Sequence, residues 1–371
     1  MQFFEQQLDD FFSLIARTAR ERRLIAPPAP SDAFDMSSND YLRLSRHPQI
    51  HAALKQGIDL FGAGSTASRL VAGHRDIFSE LEEVYANWVG SDDALFFANG
   101  YAANVGTLTA ILDGAYAAFT DRLCHASLLD GVRLSGARKV YFRHNDLSHL
   151  EELLSKATEK KRIIIVESLY SMDGDFAPLP ALFDFAQRHG ALLYVDDAHA
   201  LGVWGEDGQG LAAGHWGRAD FSVGTCGKAL GLEGAFVATS SRVKKYLIHN
   251  ARTFVFSTAP LPAIAFAAVA AIRLARTLAG ERQRIAEVAT FLRAQLKRLG
   301  YSTLASSSQI IPLLCASERD ALEKARRLVE AGFYVKAIRP PTVKESRIRI
   351  SVNSGITLDT ARRFITALER L

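Results

Sequence analysis

The sequence of 371 residues predicts an α/β protein with a mainly parallel sheet and a smaller α+β domain at its carboxyl end. Apolar runs of strand length end in polar residues, and a helical segment separates two of these runs, as in a parallel strand–helix–strand unit. The chain is also longer than one hydrophobic core usually supports. We therefore predict an N-terminal helix and linker over residues 1–36, a large domain over 37–260 and a small domain over 261–371.

The large domain contains the strand signals. Helical spacing of apolar residues over 3–15 predicts an amphipathic helix, and prolines at 27, 28 and 30 follow it. Strands are then predicted at 94–97, 163–166 and 191–195, with a helix at 179–189 between the last two. Ligands of parallel sheets bind beyond the carboxyl ends of the strands. Asn99, Glu167 and Asp196 lie at or near those ends.

The last hundred residues alternate long helices with short strands. Helices are predicted at 263–278, 282–299 and 318–331, and strands at 310–314, 334–337 and 347–351, which indicates an α+β lobe. Residues 254–272 carry no charge, but Pro260 and Pro262 interrupt them. A buried helix that begins near Pro262 explains this stretch better than a membrane span does.

Composition narrows the function classes. The formal charge of 44 − 40 = +4 is small and lacks long basic runs, so we expect no nucleic-acid partner. Hydrophobic residues at 48% and charged residues at 23% are typical of a soluble globular chain, and we expect no membrane association. Three cysteines without a Cys-x-x-Cys pair favour a reducing, cytoplasmic location and argue against a disulfide framework or a metal site.

The densest chemical signal is the run Asp196-Asp197-Ala198-His199, followed by Lys228 32 residues after Asp196. A carboxylate that leaves an apolar strand needs a cation or a donor, and a protonated heteroaromatic nitrogen would satisfy it. Small residues surround Lys228, so a bound group could approach an amine that is available for a Schiff base. Taken singly, Asp196 could be a helix cap, His199 a core histidine and Lys228 a solvated charge. Their combination favours a site.

Other motifs fail on their own requirements. Gly227-Lys228 does not form a Walker loop, because Ser222 stands in place of the first glycine and Ala229 in place of the serine or threonine. The glycines of residues 62–67 follow no predicted strand, and Ala67 stands in place of the third glycine of a dinucleotide fingerprint. No Gly-x-Ser-x-Gly elbow occurs.

The chain resembles the α-oxoamine synthases among the fold-type I pyridoxal-phosphate enzymes. Besides 196–199 and 225–228, the matching stretches are 37–42, 62–73, 99–104, 121–127, 167–175 and 256–258. The resemblance implies a mainly parallel, seven-stranded sheet and a large domain that binds pyridoxal 5'-phosphate.

The resemblance also implies catalytic roles. Lys228 would hold the cofactor covalently and move protons at the substrate Cα, and Asp196 would pair with the pyridine nitrogen. His199 would hydrogen-bond the phenolic oxygen, His125 would stack on the ring, and Ser171 would be a polar contact to the cofactor.

Further cofactor and substrate contacts follow from the same resemblance. The backbone N–H groups of Gly100 and Tyr101 open a helix and would bind the phosphate. Thr225 would add a hydroxyl, and Ser257 or Thr258 would reach the phosphate from a neighbouring subunit. Residues expected to contact substrate are Arg339, as a carboxylate clamp, Thr342, Asn39, and Arg22 or Arg23 from the first helix and linker.

The implied reaction is a decarboxylative condensation of an amino acid with an acyl thioester, in a homodimer with a shared active site. Residues 337–343 are similar to the form in the biotin-pathway member, which joins L-alanine and a pimeloyl thioester (CoA or acyl carrier protein) into 8-amino-7-oxononanoate. The alternatives are a family member that uses glycine with a short-chain or long-chain acyl-CoA and, less favoured, a non-catalytic partner subunit. Ala67 and Glu233 depart from the usual family pattern.

Overall fold

The computed structural model describes residues 1–28, 33–213 and 219–371. They form a smaller unit, Met1–Ser38 with Met172–Asp175 and Gln283–Leu371, and a larger unit, Asn39–Ser171 with Phe176–Arg282. Residues 29–32, part of the predicted linker, lie outside the described residues. The predicted functional domain boundaries after residues 36 and 260 stay a prediction, since the compact units divide the chain at other points.

Thirteen helices and twelve strands occur in the described ranges. The helices are α1 (Gln2–Arg17), α2 (Pro48–Phe61), α3 (Asp76–Val89), α4 (Gly100–Ile111), α5 (Ala126–Ser135), α6 (Leu147–Lys156), α7 (Leu179–Arg188), α8 (Ser241–Asn250), α9 (Arg252–Val255), α10 (Pro262–Thr277), α11 (Ala279–Arg298), α12 (Glu318–Glu330) and α13 (Leu358–Glu369). The strands are β1 (Phe34–Asp35), β2 (Asp93–Phe97), β3 (Tyr116–Asp121), β4 (Arg138–Phe142), β5 (Lys161–Glu167), β6 (Leu192–Asp196), β7 (Phe221–Thr225), β8 (Ala235–Thr239), β9 (Ile310–Leu314), β10 (Phe333–Tyr334), β11 (Lys336–Ile338) and β12 (Arg347–Ser351).

The larger unit is built on a seven-stranded sheet of order β2-β8-β7-β6-β5-β3-β4. Strands β3 to β7 pair in parallel, and only β8 runs antiparallel to both of its neighbours. The predicted strands at 94–97, 163–166 and 191–195 coincide with β2, β5 and β6, and α7 connects the last two. The prediction of a mainly parallel sheet is confirmed.

Strand β5 shows why this sheet is apolar throughout. Ile163 and Ile165 belong to one buried cluster, whereas Ile164 and Val166 belong to another. Successive side chains of a strand point to opposite faces, so both faces of the sheet are covered. The strand therefore reads as a continuous apolar run, without the alternation of a half-exposed strand.

Helix α10 is the uncharged stretch that the sequence predicts to be buried. It begins at Pro262, a position whose N–H would have no hydrogen-bond partner within the helix. The helix packs against α2 and α3. Nine of its residues, most of them alanine, are buried. Among the described residues, no single helix is long and apolar enough to cross a membrane, and only α10 with α11, a bent pair, reaches that length and composition.

The smaller unit contains an antiparallel sheet of order β11-β12-β9 and the parallel pair β1-β10. The strand predicted over 334–337 is divided, because β10 pairs with β1 while β11 pairs with β12. Helix α1 forms as predicted, but Phe3 is 95% exposed, and Phe11 and Phe12 are also exposed in the single chain.

Candidate active site

Polar side chains collect where the parallel strands of the larger unit end. Glu167 and Asp196 are registered partners at the ends of β5 and β6, and Thr225 ends β7. Registered partners on parallel strands point to the same face of the sheet, so the two carboxyl groups are neighbours. They are 3% and 7% exposed, which makes their hydrogen-bond partners decisive for the energy of the site.

Asp196 is held by donors from two directions. The Nδ2 of Asn104 donates to its Oδ2 at 2.7 Å, and the backbone N–H of Ala198 donates to its Oδ1 at 3.0 Å. Asn104 lies on α4 and accepts at Oδ1 from the hydroxyl of Tyr194, at 2.9 Å. These donors stabilise the charged carboxylate and fix its plane.

His125 caps the start of α5 and is joined to the same network. Its Nδ1 lies 2.8 Å from the Oγ of Ser127 and accepts from the backbone N–H of Ser127 at 3.2 Å. Partial burial lowers the pKa of His125, and the positive charge of Lys228 adds to this, while Asp196 acts in the opposite direction. A neutral imidazole is therefore favoured at neutral pH.

His199 and Asp197 follow Asp196 in the chain and have different partners. The Nδ1 of His199 lies 2.7 Å from the hydroxyl of Tyr41, and that hydroxyl lies 3.2 Å from the Oδ1 of Asn39. Asp197 accepts from the hydroxyl of Ser168 and from two backbone N–H groups in the loop that contains residues 211 and 212. Burial raises the pKa of Asp197 to about 6, against the lowering effect of these donors. Asp197 thus anchors a loop.

Lys228 lies in the short connection from β7 to β8. Backbone hydrogen bonds join Cys226 N–H to the Gly234 carbonyl at 2.9 Å and Leu232 N–H to the Cys226 carbonyl at 3.0 Å. Gly231 has a φ of +66° and a Cβ there would collide with the backbone of Ser45, so only glycine fits. Lys228 is partly exposed, and its positive charge acts to lower the pKa of both His125 and Glu167, so the amine lies within electrostatic reach of these groups.

Glu167 is the buried acid beside this lysine. Its Oε2 accepts from the backbone N–H of Ser171 at 3.3 Å, and its carboxyl also receives the backbone N–H of His125. Its Oε1 is buried without a hydrogen-bond partner in the described chain. Burial and the charge of Asp196 raise the pKa of Glu167 to about 8, against the charge of Lys228. Glu167 is therefore protonated at neutral pH.

An anion site opens beside these groups at the start of α4. Asn99 caps the helix by accepting from Ala102 N–H at 2.8 Å, which leaves the N–H groups of Gly100 and Tyr101 pointing past the helix end. The Oγ1 of Thr225 lies 4.0 Å from the position of a Cβ on Gly100. Its hydroxyl donates to the Gly234 carbonyl at 3.0 Å, so it must rotate to serve an anion.

The remaining residues predicted for the cofactor lie elsewhere in the larger unit. Ser171 contacts Glu167 through its N–H, as described above. Ser257 and Thr258 lie in the loop between α9 and α10, where the Ser257 hydroxyl donates to the Thr258 carbonyl at 3.2 Å. Of the two departures from the family pattern, Glu233 is exposed. Ala67 is partly exposed and precedes the π-helical turn 69–73.

The predicted substrate residues of the smaller unit bond to the segment of residues 19–22 or belong to it. The guanidinium of Arg339 donates to the carbonyl oxygens of Ala19 and Glu21, and Arg22 donates to the hydroxyl of Thr342 at 3.0 Å. Arg23 pairs with the side chain of Glu21. Arg339 is thus engaged by backbone oxygens that a carboxylate would have to displace.

Sequence reasoning missed one arginine of this unit. Arg349 lies on β12 and is only 6% exposed. A guanidinium buried on a strand is stabilised by acceptors that match its planar fork. Its neighbour Arg347 is also buried and pairs with Asp173.

Comparison with known proteins identifies the family. The model of the aminotransferase class I and II family matches residues 31–368. An 8-amino-7-oxononanoate synthase of Geobacter sulfurreducens is 43% identical over 91% of this chain and 88% of its own length. One of Chromobacterium violaceum is 45% identical, over 86% of this chain and 84% of its own. The chain is an α-oxoamine synthase.

A solved structure agrees with this membership. A serine palmitoyltransferase of S. paucimobilis with bound PLP matches this α-oxoamine synthase with a TM-score of 0.88 and 28% identity, over 91% of this chain and 87% of that one. The family and the fold-type I class predicted from the sequence are confirmed, and with them pyridoxal phosphate as the cofactor. The donor set fits that group: an amine, a buried carboxylate, an imidazole and a helix N-terminus lie at one sheet edge.

The structure adds residues to those predicted from the α-oxoamine synthase motifs. It brings Asp196, His125 and Glu167 together within the electrostatic influence of Lys228, and His199 follows Asp196 by three positions. Asn104, Ser127 and Tyr41 had no predicted role. Asn104 could have been noticed as the single amide in the apolar run of residues 102–106, whereas nothing local marks Ser127.

Proposed function

We propose that this α-oxoamine synthase condenses L-alanine with a pimeloyl thioester, carried by CoA or acyl carrier protein, to give 8-amino-7-oxononanoate and carbon dioxide in biotin biosynthesis. The observation that carries the chemistry is Asp196, buried and held by Asn104 and Ala198 beside the Lys228 amine. The choice of substrates rests on the 8-amino-7-oxononanoate synthases that are 43–45% identical to it.

Each residue has a definable task in this reaction. Pyridoxal phosphate, when bound, supplies a carbonyl that takes up amines and a ring that accepts electrons. Lys228 holds that carbonyl and afterwards carries the proton to and from the substrate Cα. Asp196 keeps the ring nitrogen protonated, and His125 covers one face of the ring. His199 donates to the phenolic oxygen, with its orientation set by Tyr41.

The other predicted residues bind the phosphate or make polar contacts to the cofactor and the substrate. The N–H groups of Gly100 and Tyr101 and the rotated hydroxyl of Thr225 bind the phosphate. Ser171 contacts the cofactor, and Asn39 contacts the substrate near Tyr41.

The carboxylate of the amino acid has two arginine candidates. Arg339 is the one predicted from the sequence, with Thr342 beside it on the segment 337–343 and Arg22 or Arg23 for the acyl chain. Arg349 is the one favoured by burial. Replacing the true clamp by lysine should raise the KM for alanine about tenfold or more with little change in the KM for the thioester.

We also propose a homodimer in which Ser257 or Thr258 of one subunit reaches the phosphate held by the other. Large apolar side chains are exposed in the single chain near these residues and in the 69–73 turn. They are Phe256, 73% exposed, Leu70 and Val71. Exposed apolar patches of this kind favour burial against a second copy.

A second candidate reaction uses a long-chain acyl-CoA. The structural likeness to a serine palmitoyltransferase favours it, although at 28% identity against 43% for the oxononanoate synthase relative. A panel of acyl thioesters of increasing length, each offered with alanine, serine and glycine, separates the two by the mass of the aminoketone formed.

The lysine experiment tests the chemistry itself. In Lys228→Ala, borohydride reduction should leave no pyridoxyl group on the protein and turnover should fall below detection, because no other amine replaces it. Lys245→Ala, an exposed lysine of the same unit, is the matched control and should behave as wild type. Turnover of alanine and pimeloyl thioester by Lys228→Ala would reject the proposal.

A further inference from the structure

Asn104 is a buried amide with all of its described hydrogen-bonding directions occupied. It is 2% exposed and lies in the first half of α4. Its Nδ2 donates to Asp196 Oδ2 at 2.7 Å and to Ser127 Oγ at 2.9 Å, and its Oδ1 accepts from the Tyr194 hydroxyl at 2.9 Å. The orientation of the amide is set by chemistry, because a carboxylate oxygen can only accept.

The first branch of this network fixes Asp196. One carboxylate oxygen receives the amide of Asn104 and the other receives the N–H of Ala198, from a different element. Two donors on two oxygens leave the carboxylate a single plane. Asp196 would therefore be a pre-oriented acceptor for a ring nitrogen that pairs with it.

The second branch fixes the proton of His125. The Oγ of Ser127 accepts from Asn104 and lies 2.8 Å from His125 Nδ1, so its own proton is available to that nitrogen. The backbone N–H of Ser127 donates to the same nitrogen at 3.2 Å. A nitrogen that accepts two donors carries no proton, so the imidazole is neutral with its proton on Nε2.

An apolar side chain would pack in the same space at lower desolvation cost, since burying an amide stabilises a fold only when every group is satisfied. The desolvation cost of this buried amide has an explanation if Asp196, which Asn104 contacts, and His125, which it reaches through Ser127, act on the same ligand. We propose that Asn104 is a positioning residue that sets the carboxylate plane of Asp196 and the Nε2–H tautomer of His125 together. This inference rests on the proposed roles of Asp196 and His125 in binding pyridoxal phosphate.

Three variants separate the branches. Asn104→Leu is close in volume and removes the bonds to both Asp196 and Ser127. Ser127→Ala removes only the link to His125. Tyr194→Phe removes only the hydroxyl that donates to the Oδ1 of Asn104. Asn250→Leu is the matched control, because this exposed asparagine at the end of α8 bonds only to the Tyr246 carbonyl. Thermal unfolding of each apoprotein shows whether it folds, and the two milder variants serve if Asn104→Leu does not.

The first readout is the affinity for pyridoxal phosphate, measured by titration of the apoprotein. Losing a hydrogen bond to a charged, buried group corresponds to a change of about ten- to a hundredfold, so the Kd should rise by that factor in Asn104→Leu. It should rise less in Ser127→Ala and Tyr194→Phe, and stay at the wild-type value in Asn250→Leu. Wild-type affinity in a folded Asn104→Leu would overturn the proposal.

The second readout needs no cofactor. Nitrogen-15 NMR of histidine-labelled apoprotein, with the His125 signals assigned by their loss in His125→Asn, reports which ring nitrogen is protonated. Wild type and Asn250→Leu should show Nε2–H, and Asn104→Leu and Ser127→Ala should show a mixture of tautomers. An unchanged tautomer in both would refute the His125 branch. A wild-type protein that binds no pyridoxal phosphate would instead refute the proposed function, while the NMR result would still decide the network.

Discussion

Strand β5 begins and ends with a charged residue. The charged side chains are exposed at the amino end of the strand and buried at its carboxyl end. At the amino end, Lys161 pairs with Asp113 at 3.5 Å, and both side chains are more than half exposed. At the carboxyl end, Glu167 is 3% exposed and faces Asp196. Solvent screens the first pair, so its geometry matters little. The second cannot ionise freely, because Glu167 is buried and a second carboxyl is adjacent.

The contrast indicates that the buried carboxyl groups, and not the exposed charges, lower the free energy of unfolding in return for a chemical role. Charges at the amino end should be removable at little cost, whereas removing Asp196 or Asp197 at the carboxyl end would leave buried donors unpaired. The following substitutions test this difference.

Asp196→Ala should have the largest effect. Without a carboxylate opposite the ring nitrogen, the ring loses its electron-accepting power, and we expect kcat to fall about a thousandfold, or about 4 kcal/mol in activation free energy. Steady-state assays with alanine and the thioester measure this. Asp113→Ala, at the other end of the sheet, should keep wild-type kcat; equal losses in the two variants would remove the contrast.

Asp197→Ala should mainly lower the free energy of unfolding. It removes the acceptor for the Ser168 hydroxyl and for the N–H groups of Leu211 and Ala212, all of which remain in the structure. Leaving such donors unpaired costs about 3 kcal/mol in total. Urea unfolding of the apoprotein gives the value, and a loss below about 0.5 kcal/mol would mean that the loop is held by other contacts.

Glu167→Gln should change how stability depends on pH. The pKa of Glu167 is raised from 4.5 to about 8 on folding, so the contribution of the protonated acid is fully present below pH 4.5 and is lost as the pH rises to about 8. Glutamine keeps the shape without the proton equilibrium. The variant should therefore gain on wild type between pH 5 and 8, by about 3 to 4 kcal/mol.

The groups that face Glu167 are Asp196 and Lys228, which perturb its pKa, together with Cys124 and Tyr170, whose own pKa values Glu167 raises; His125 adds a backbone N–H. Thermal unfolding of the two apoproteins across this range measures the difference. A difference that stays constant with pH would show that Glu167 is ionised throughout.

Lys161→Ala should have the smallest effect. The ion pair with Asp113 is solvated, and such pairs contribute less than about 0.5 kcal/mol, an amount that falls further with added salt. Urea unfolding at low and high salt checks this. A loss above about 1 kcal/mol would mean that the amino end also depends on its charges.

Much of the carboxyl edge could be predicted from the sequence, because parallel strands that end in polar residues bring those residues together. The protonation of Glu167 could not be, since it depends on Asp196 from another strand. Asn104 contacts a residue 92 positions away. Arg349 was missed because an arginine on a short strand is usually solvated, whereas β12 is the central strand of its sheet.

The hairpin that contains Lys228 has a mechanical consequence. Its base is closed by hydrogen bonds from Cys226 and Leu232, and Gly231 presses against the chain at Ser45. The backbone beneath the amine is thus an anchored pivot, and the nitrogen travels only as far as rotations about its four methylene groups allow. Reacting groups must therefore be positioned within the reach of this one side chain.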